Sequence, residues 1–196
     1  GGSNVGHTVI VGGNTYKFRM LPSGALREKK LIIGNGVVVD PERLIAEIGE
    51  LASIGKEPDL LISERAQVVL PFHKALDRLE DSIKGPLRAG TTGVGIGPAY
   101  ADKAARFGIR MIDLMDDESL SDRLRLLVGL KQKELRGVFG SNDEISESDL
   151  LSWCRGFREE IRRYVGDTSE YINDALDKGE RVLFEGGQGT LLDVDH

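Results

Sequence analysis

Apolar and polar positions follow two rhythms along this chain, a period of two and a period near 3.6, and the switches between them mark out strands and helices. Over residues 8–20, two short β-prone runs flank Gly12-Gly13-Asn14, which predicts a hairpin. Leu31-Ile32-Ile33 is continuously apolar, as is Val37-Val38-Val39 beyond the turn Gly34-Asn35-Gly36. Asp40-Pro41-Glu42 predicts a helix start, because an aspartate can cap the first amides and proline suits the first helical position. Leu44, Ile45, Ile48 and Leu51 then recur at helical spacing and predict one buried stripe. Residues 60–63 and 68–70 read as strands, and Pro71 opens a helix running to about Ile83.

Residues 88–98 form a glycine-rich loop, with helix predicted to resume from Ala99. Residues 116–138 are charged and amphipathic, Gly140-Ser141-Asn142-Asp143 breaks the pattern, and a second helical stretch covers 146–165. A shorter helix is expected around 171–176. Val182-Leu183-Phe184 reads as a buried strand that delivers Glu185-Gly186-Gly187-Gln188-Gly189 at its C-terminal end, where open α/β sheets bind ligands. No internal repeat or linker is evident. The pattern therefore predicts a single α/β domain over 1–196, with a mixed or parallel central sheet flanked by helices and a helical excursion over 116–165.

Composition narrows the picture. The 196 residues carry 26 Lys+Arg against 32 Asp+Glu, a net charge of -6. An acidic chain without a basic stripe argues against nucleic acid as a partner. No apolar run reaches the roughly 20 residues needed to span a bilayer, so no membrane partner is expected. The start, Gly1-Gly2-Ser3-Asn4, lacks the features of a signal peptide, and a single cysteine, Cys154, allows no internal disulfide. Both point to a cytoplasmic protein. Cys154 lies in a helical pattern and reads as a buried, inert thiol.

Three glycine-rich segments can carry chemistry. In Gly1-Gly2-Ser3-Asn4-Val5-Gly6-His7-Thr8, glycines admit close backbone approach, Asn4 donates and accepts, and His7 titrates near neutrality and can serve as a general acid. The alternative is a flexible segment with an exposed histidine. Gly90-Thr91-Thr92-Gly93-Val94-Gly95-Ile96-Gly97-Pro98 offers hydroxyls and amides at a helix N-terminus, which suits a phosphate, with Arg106 as a further cation about two turns along that helix. It lacks the lysine of the GxxxxGK[ST] loop, and a structural glycine turn is the competing reading. In Phe184-Glu185-Gly186-Gly187-Gln188-Gly189-Thr190, a glutamine amide past a strand can read a purine edge or simply lie on the surface. His73, in the first turn of a helix, reads as structural. Asp193, Asp195 and His196 alone do not make a metal site.

In combination and in order, these segments resemble the adenylosuccinate synthetase family. The match includes Leu21-Pro22-Ser23-Gly24, Ile33-Gly34-Asn35-Gly36-Val37, Ser63-Glu64-Arg65-Ala66 with Pro71, His73 and Asp77, and the run from Gly90 through Tyr100 to Asp102-Lys103 and Ala105-Arg106. It ends on Phe184-Glu185-Gly186-Gly187-Gln188-Gly189-Thr190-Leu191-Leu192-Asp193. The resemblance implies a GTP-dependent ligase that phosphorylates O6 of IMP and then lets L-aspartate displace the phosphate, on the route to AMP. It implies Mg2+ as cofactor and GTP as co-substrate. His7 would stabilise or protonate the transferring phosphoryl group, and the Gly6 backbone would lie near magnesium. Asn4 and Thr92 would hold the IMP 5′-phosphate, and Gln188 would contact the purine as a catalytic residue. Arg106 would reach the IMP phosphate of the partner in a homodimer.

The sequence departs from the family pattern at three points. A GDEGKGK-type GTP loop does not precede Gly1, the family's C-terminal part does not follow His196, and Val94 stands where many members carry a basic residue tied to aspartate recognition. The first two lead to the expectation that these residues alone are inactive. The alternative reading is a non-catalytic IMP-binding fragment or paralogue lacking the GTP site.

Overall fold

The computed structural model describes residues 1–87 and 90–188. In chain order its elements are β1 His7–Val11, β2 Asn14–Phe18, β3 Leu31–Ile33, β4 Val38–Val39, α1 Pro41–Ser53, β5 Leu60–Ser63, β6 Gln67–Val68, α2 Pro71–Ile83, α3 Ile96–Ala104, α4 Asp117–Gly137, α5 Glu147–Ile161, β7 Val165–Gly166 and α6 Thr168–Asp177. The α/β class holds, with a parallel sheet and a helical stretch where 116–165 predicted one. The chain gathers into two compact units: Gly1–Ala66 with the segment from Tyr164 onward, and Gln67–Arg163. None of the helices among the described residues is long and apolar enough to cross a membrane.

In the first unit, β1 and β2 pair antiparallel with Val11 opposite Asn14. Gly12 and Gly13 take φ of 57° and 82°, the left-handed pair that a two-residue turn needs to match strand twist. A parallel sheet runs β3-β5-β7, with Leu31 opposite Leu60 and Ile62 opposite Val165. Leu31, Ile33, Leu60 and Ile62, which share one face of this sheet, are buried, whereas Ile32 and Leu61 on the other face are only partly so. The Asp40 side chain accepts from the Arg43 amide at 3.3 Å and Pro41 opens α1, as the sequence predicts.

The buried stripe of α1 differs from the apolar one expected. Leu44 and Leu51 are buried, Ile45 and Ile48 are only partly so, and Glu47 is fully buried. Its Oε1 accepts from the Arg19 amide at 2.7 Å, and its Oε2 from the amides of Met20 and Leu21 at 3.0 and 2.9 Å. The Arg43 Nε donates to Oε1 at 2.7 Å. Three successive amides leaving β2 have no strand partner, and one carboxylate satisfies all of them.

The second unit is largely helical. Asp116 caps α4 by accepting from the Ser119 amide, and Ser146 caps α5 by accepting from the Asp149 amide. Leu120, Leu124, Leu127 and Leu135 of α4 and Leu150, Cys154 and Ile161 of α5 are buried. Gln132 fastens the intervening loop, donating to the Asp143 carbonyl and accepting from the Ile145 amide.

Several boundaries move. The helix predicted to reach residue 165 ends at Ile161, because Val165 instead joins the parallel sheet beside Ile62. The helix predicted from Ala99 begins at Ile96, which places Pro98 in its first turn, where a missing N–H costs nothing. The strand predicted at 68–70 occupies Gln67–Val68, and Leu70 becomes the residue before α2. The largest correction is at Val182-Leu183-Phe184. These residues belong to no strand, and Leu183 and Phe184 are 88% and 77% exposed. An apolar run is buried as a strand only where a neighbouring strand takes its amides, and the sheet β3-β5-β7 does not include it.

Replacing Glu47 by leucine removes the shared acceptor and leaves three amides unpaired. Unfolding in urea should show a loss of about 3 kcal/mol or more. A loss below about 1 kcal/mol would mean that these amides find other partners.

Candidate functional site

The candidate residues of the first unit meet around the N-terminal turn. The Gly2 amide donates to Asn4 Oδ1 at 3.2 Å, and the Val5 amide to the Gly2 carbonyl at 3.4 Å. This turn is pinned from outside: the Val38 amide donates to the Gly1 carbonyl at 3.1 Å, and Arg19 Nη1 donates to the Ser3 carbonyl at 3.2 Å. The turn delivers His7 as the first residue of β1, opposite Phe18.

His7 Nδ1 lies 2.9 Å from Glu185 Oε1. The other oxygen of Glu185 accepts from the Ser23 amide at 3.0 Å and the Ser23 hydroxyl at 2.9 Å. A carboxylate accepts only, so Nδ1 carries the proton toward Glu185 and Nε2 is the ring atom left for a ligand. The chain after Glu185 folds back on the turn. A Cβ on Gly187 would come within 3.2 Å of Val5, and one on Gly1 within 2.6 Å of the Gln188 amide nitrogen. Gln188, far away in sequence, is thereby brought to the turn that carries Asn4 and His7. Glu185 sat in a segment the sequence singled out, yet nothing local assigned it a partner.

The second unit holds the other glycine-rich loop. Asp77 of α2 accepts from the Thr91 hydroxyl at 2.6 Å through Oδ1 and from the Gly95 amide at 2.9 Å through Oδ2. The Gly93 amide donates to the Thr91 hydroxyl at 3.1 Å. Gly95 has φ of 82°, and a Cβ there would stand 2.8 Å from the His73 backbone, so glycine is required twice over. Thr92 lies exposed within this loop and Gly95 is the residue before α3. Behind the loop, His73 is fully buried. Its Nδ1 accepts from the Leu70 amide at 2.9 Å, its Nε2 pairs with Asp102 at 3.0 Å, and Asp102 meets Lys131 at 2.6 Å.

Arg106 does not lie within the helix as expected. α3 ends at Ala104, and Arg106 sits exposed in the following turn with φ of 64°. The amides of Phe107 and Gly108 both donate to the Asp102 carbonyl, closing this turn. Cys154 is buried and its thiol is pushed up to about 12 by burial, consistent with an inert packing role. Among the described residues no cluster of three or more His, Cys, Asp or Glu could hold a metal. Asp193, Asp195 and His196 lie outside the described residues.

A parallel sheet with helices, one glycine-rich turn presenting a histidine and another entering a helix N-terminus, defines an α/β protein. The chain belongs to the adenylosuccinate synthetase family, whose model matches residues 1–196. The chain is 46% identical over 198 aligned residues to the adenylosuccinate synthetase of Exiguobacterium sibiricum, and 48% identical to that of Carboxydothermus hydrogenoformans. Each match covers 100% of this chain and 46% of the relative, so the chain spans just under half their length. Its fold matches the fully ligated adenylosuccinate synthetase of Plasmodium falciparum at a TM-score of 0.84 and 27% identity, over 99% of this chain and 45% of that one.

The buried network has a defined charge state. Because the Leu70 amide donates to His73 Nδ1, the ring is neutral with its proton on Nε2, and burial holds its pKa below the ordinary histidine value despite the raising effect of Asp102. Burial pushes Asp102 up, but hydrogen bonds from His73 and Lys131 outweigh it and hold the carboxyl below its usual range. Both groups bind protons more weakly folded than unfolded. Their contributions are intact above about pH 6.5 and are lost as pH falls, first through the histidine range and then the carboxylate range. Urea unfolding from pH 7 to pH 5 should show stability falling by up to about 1.4 kcal/mol per pH unit from His73. A flat profile would show that the ring titrates alike folded and unfolded, and a rise in stability would show that His73 is already protonated in the fold.

Proposed function

We propose that this chain forms part of a GTP-dependent ligase that joins L-aspartate to IMP through 6-phosphoryl-IMP, acting as a cytoplasmic homodimer. The observation that carries the reading is the His7–Glu185 pair. A carboxylate on Nδ1 fixes the ring and leaves Nε2 as the nitrogen for a ligand, which is what a residue needs in order to protonate or stabilise a phosphoryl group in transfer. Gln188, lying against Gly1, would contact the purine near O6, with its amide able to donate and accept together. Asn4 and Thr92 would bind the IMP 5′-phosphate.

Magnesium fits this chain only as one donor among several. Gly6 is exposed and offers a hard backbone oxygen, while no carboxylate cluster stands among the described residues. Magnesium takes few protein ligands when phosphates and water supply the rest. The bound ion would neutralise phosphate charge, and this chain's part would be to place the Gly6 carbonyl beside it.

Arg106 supports the reading through its backbone. A side chain at φ of 64° costs about 1 kcal/mol that glycine would avoid. Retaining arginine there is accounted for if its guanidinium is needed, here for the partner's IMP phosphate. Arg106→Gly should therefore raise stability in urea by up to about 1 kcal/mol while weakening IMP binding about tenfold or more in a confirmed dimer. Unchanged IMP affinity would remove Arg106 from the site.

The reaction itself is tested with IMP, GTP, magnesium and L-aspartate. His7→Asn should lower turnover by about 10²–10⁴-fold with IMP affinity altered little. Turnover surviving this change would exclude His7 as the acid. An unsubstituted protein that binds IMP but forms no adenylosuccinate would instead identify a non-catalytic IMP-binding protein.

A further inference from the structure

We propose that Asp77 is a positioning residue that sets the shape of the 90–95 loop, and through it the reach of Thr92 toward a phosphate. This rests on the reading of Thr92 as a phosphate ligand. Both carboxylate oxygens of Asp77 are committed to the loop, and to its two sides: Oδ1 to the Thr91 hydroxyl at 2.6 Å and Oδ2 to the Gly95 amide at 2.9 Å. Thr92, Gly93 and Val94 lie between those two anchors and receive nothing from Asp77 themselves. Asp77 is 8% exposed and comes from α2, whereas Thr91 and Thr92 are exposed. A buried anion on a rigid helix thus clamps a surface loop at both ends.

The clamp resists slippage in either direction. Gly95 is pressed against the His73 backbone, so its end cannot move inward. Thr91 spends its hydroxyl proton on Asp77 and accepts from the Gly93 amide, which fixes the turn around Thr92. Gly93, between the anchors, has φ of 68°, and the glycines at 90 and 95 have φ of 81° and 82°, so without the anchors this loop has many shapes open to it. Holding such a loop in advance removes an ordering cost that ligand binding would have to meet. Asp77 itself would repel a phosphate, and its burial behind the loop keeps it out of contact.

The test is a double-mutant cycle read by calorimetric titration with IMP, and with GTP as a control. Asp77→Ala and Thr91→Val should each weaken IMP binding about tenfold, the scale of one hydrogen bond to a charged group, and leave GTP affinity unchanged. Thr91→Ser keeps the hydroxyl and should restore IMP affinity to within about twofold. In a Thr92→Ala background the effect of either change should shrink to less than about twofold, because the residue being positioned is gone. If Thr92→Ala alone leaves IMP affinity unchanged, the reading of Thr92 fails. If Thr92→Ala weakens binding but Asp77→Ala and Thr91→Val do not, the clamp is refuted with that reading intact. Additive effects in the cycle would also refute it, showing general disruption rather than action through Thr92. Thr91 is exposed, so Thr91→Val decides the matter even if Asp77→Ala does not fold.

Discussion

The buried carboxylate of Glu47 is the interaction on which the first unit depends. Placing a charge at zero exposure is costly, and only a full set of hydrogen bonds makes it tolerable. Glu47 has that set: the amides of Arg19, Met20 and Leu21, and the guanidinium of Arg43. The consequences run outward along the chain. With its own amide held, Arg19 can reach back and hold the Ser3 carbonyl. Two residues beyond Leu21, Ser23 closes on Glu185 with both amide and hydroxyl, and Glu185 orients His7. Neither the histidine nor its carboxylate touches Glu47, yet the backbone that brings them together is ordered by it.

The second unit solves a similar problem with a neutral ring and a salt bridge. The Leu70 amide begins α2, and at such an end the first amides lack helical partners. His73 reaches back to accept that amide, a task usually done by a glutamate or glutamine at the third helical position. The choice forces the ring to stay neutral and to donate from Nε2, and Asp102 and then Lys131 extend the chain into α4. Lys131 is buried in the helix that carries Leu127 and Leu135, and Glu134 accepts another of its hydrogen bonds at 2.9 Å. Burial alone would depress its pKa, but the hydrogen bonds to Asp102 and Glu134 raise it, so the cation persists inside the unit. The loop carrying Thr92 thus rests on a helix whose N-terminus has fixed protonation.

Much of this was legible locally, and what was missed was nonlocal. Asp40-Pro41, Gly12-Gly13 and the span of α2 were readable because capping, turn geometry and helix breaking involve residues a few positions apart. The motifs carrying Asn4, His7, Thr92 and Gln188 were readable as glycine-rich segments, and the structure gathers three of these four residues in the first unit. Glu47 was not singled out, although its place three after Leu44 and four before Leu51 sets it on the buried stripe. An acid on such a stripe is the signal, but its partners lie 26 to 28 residues upstream. Val182-Leu183-Phe184 failed for the opposite reason. Periodicity reports what a segment prefers and says nothing of whether a neighbouring strand is there to receive it.

Gly95 and Arg106 show where these loops have yielded to stability and where they have not. Both residues adopt left-handed backbone. At Gly95 there is no choice: a Cβ would meet the His73 backbone at 2.8 Å, and the angle also disfavours one. At Arg106 glycine would relieve the same angle, and the residue is exposed, so packing does not demand the side chain. Its turn is closed by backbone bonds, from the Arg106 amide to the Lys103 carbonyl and from Phe107 and Gly108 to Asp102, none of which uses the guanidinium. Strain at an exposed position, with no contact among the described residues to explain it, is a pattern that ligand sites share. The fold accounts for the glycine at 95, whereas among the described residues no contact accounts for the arginine at 106, and the partner's phosphate proposed for its guanidinium would.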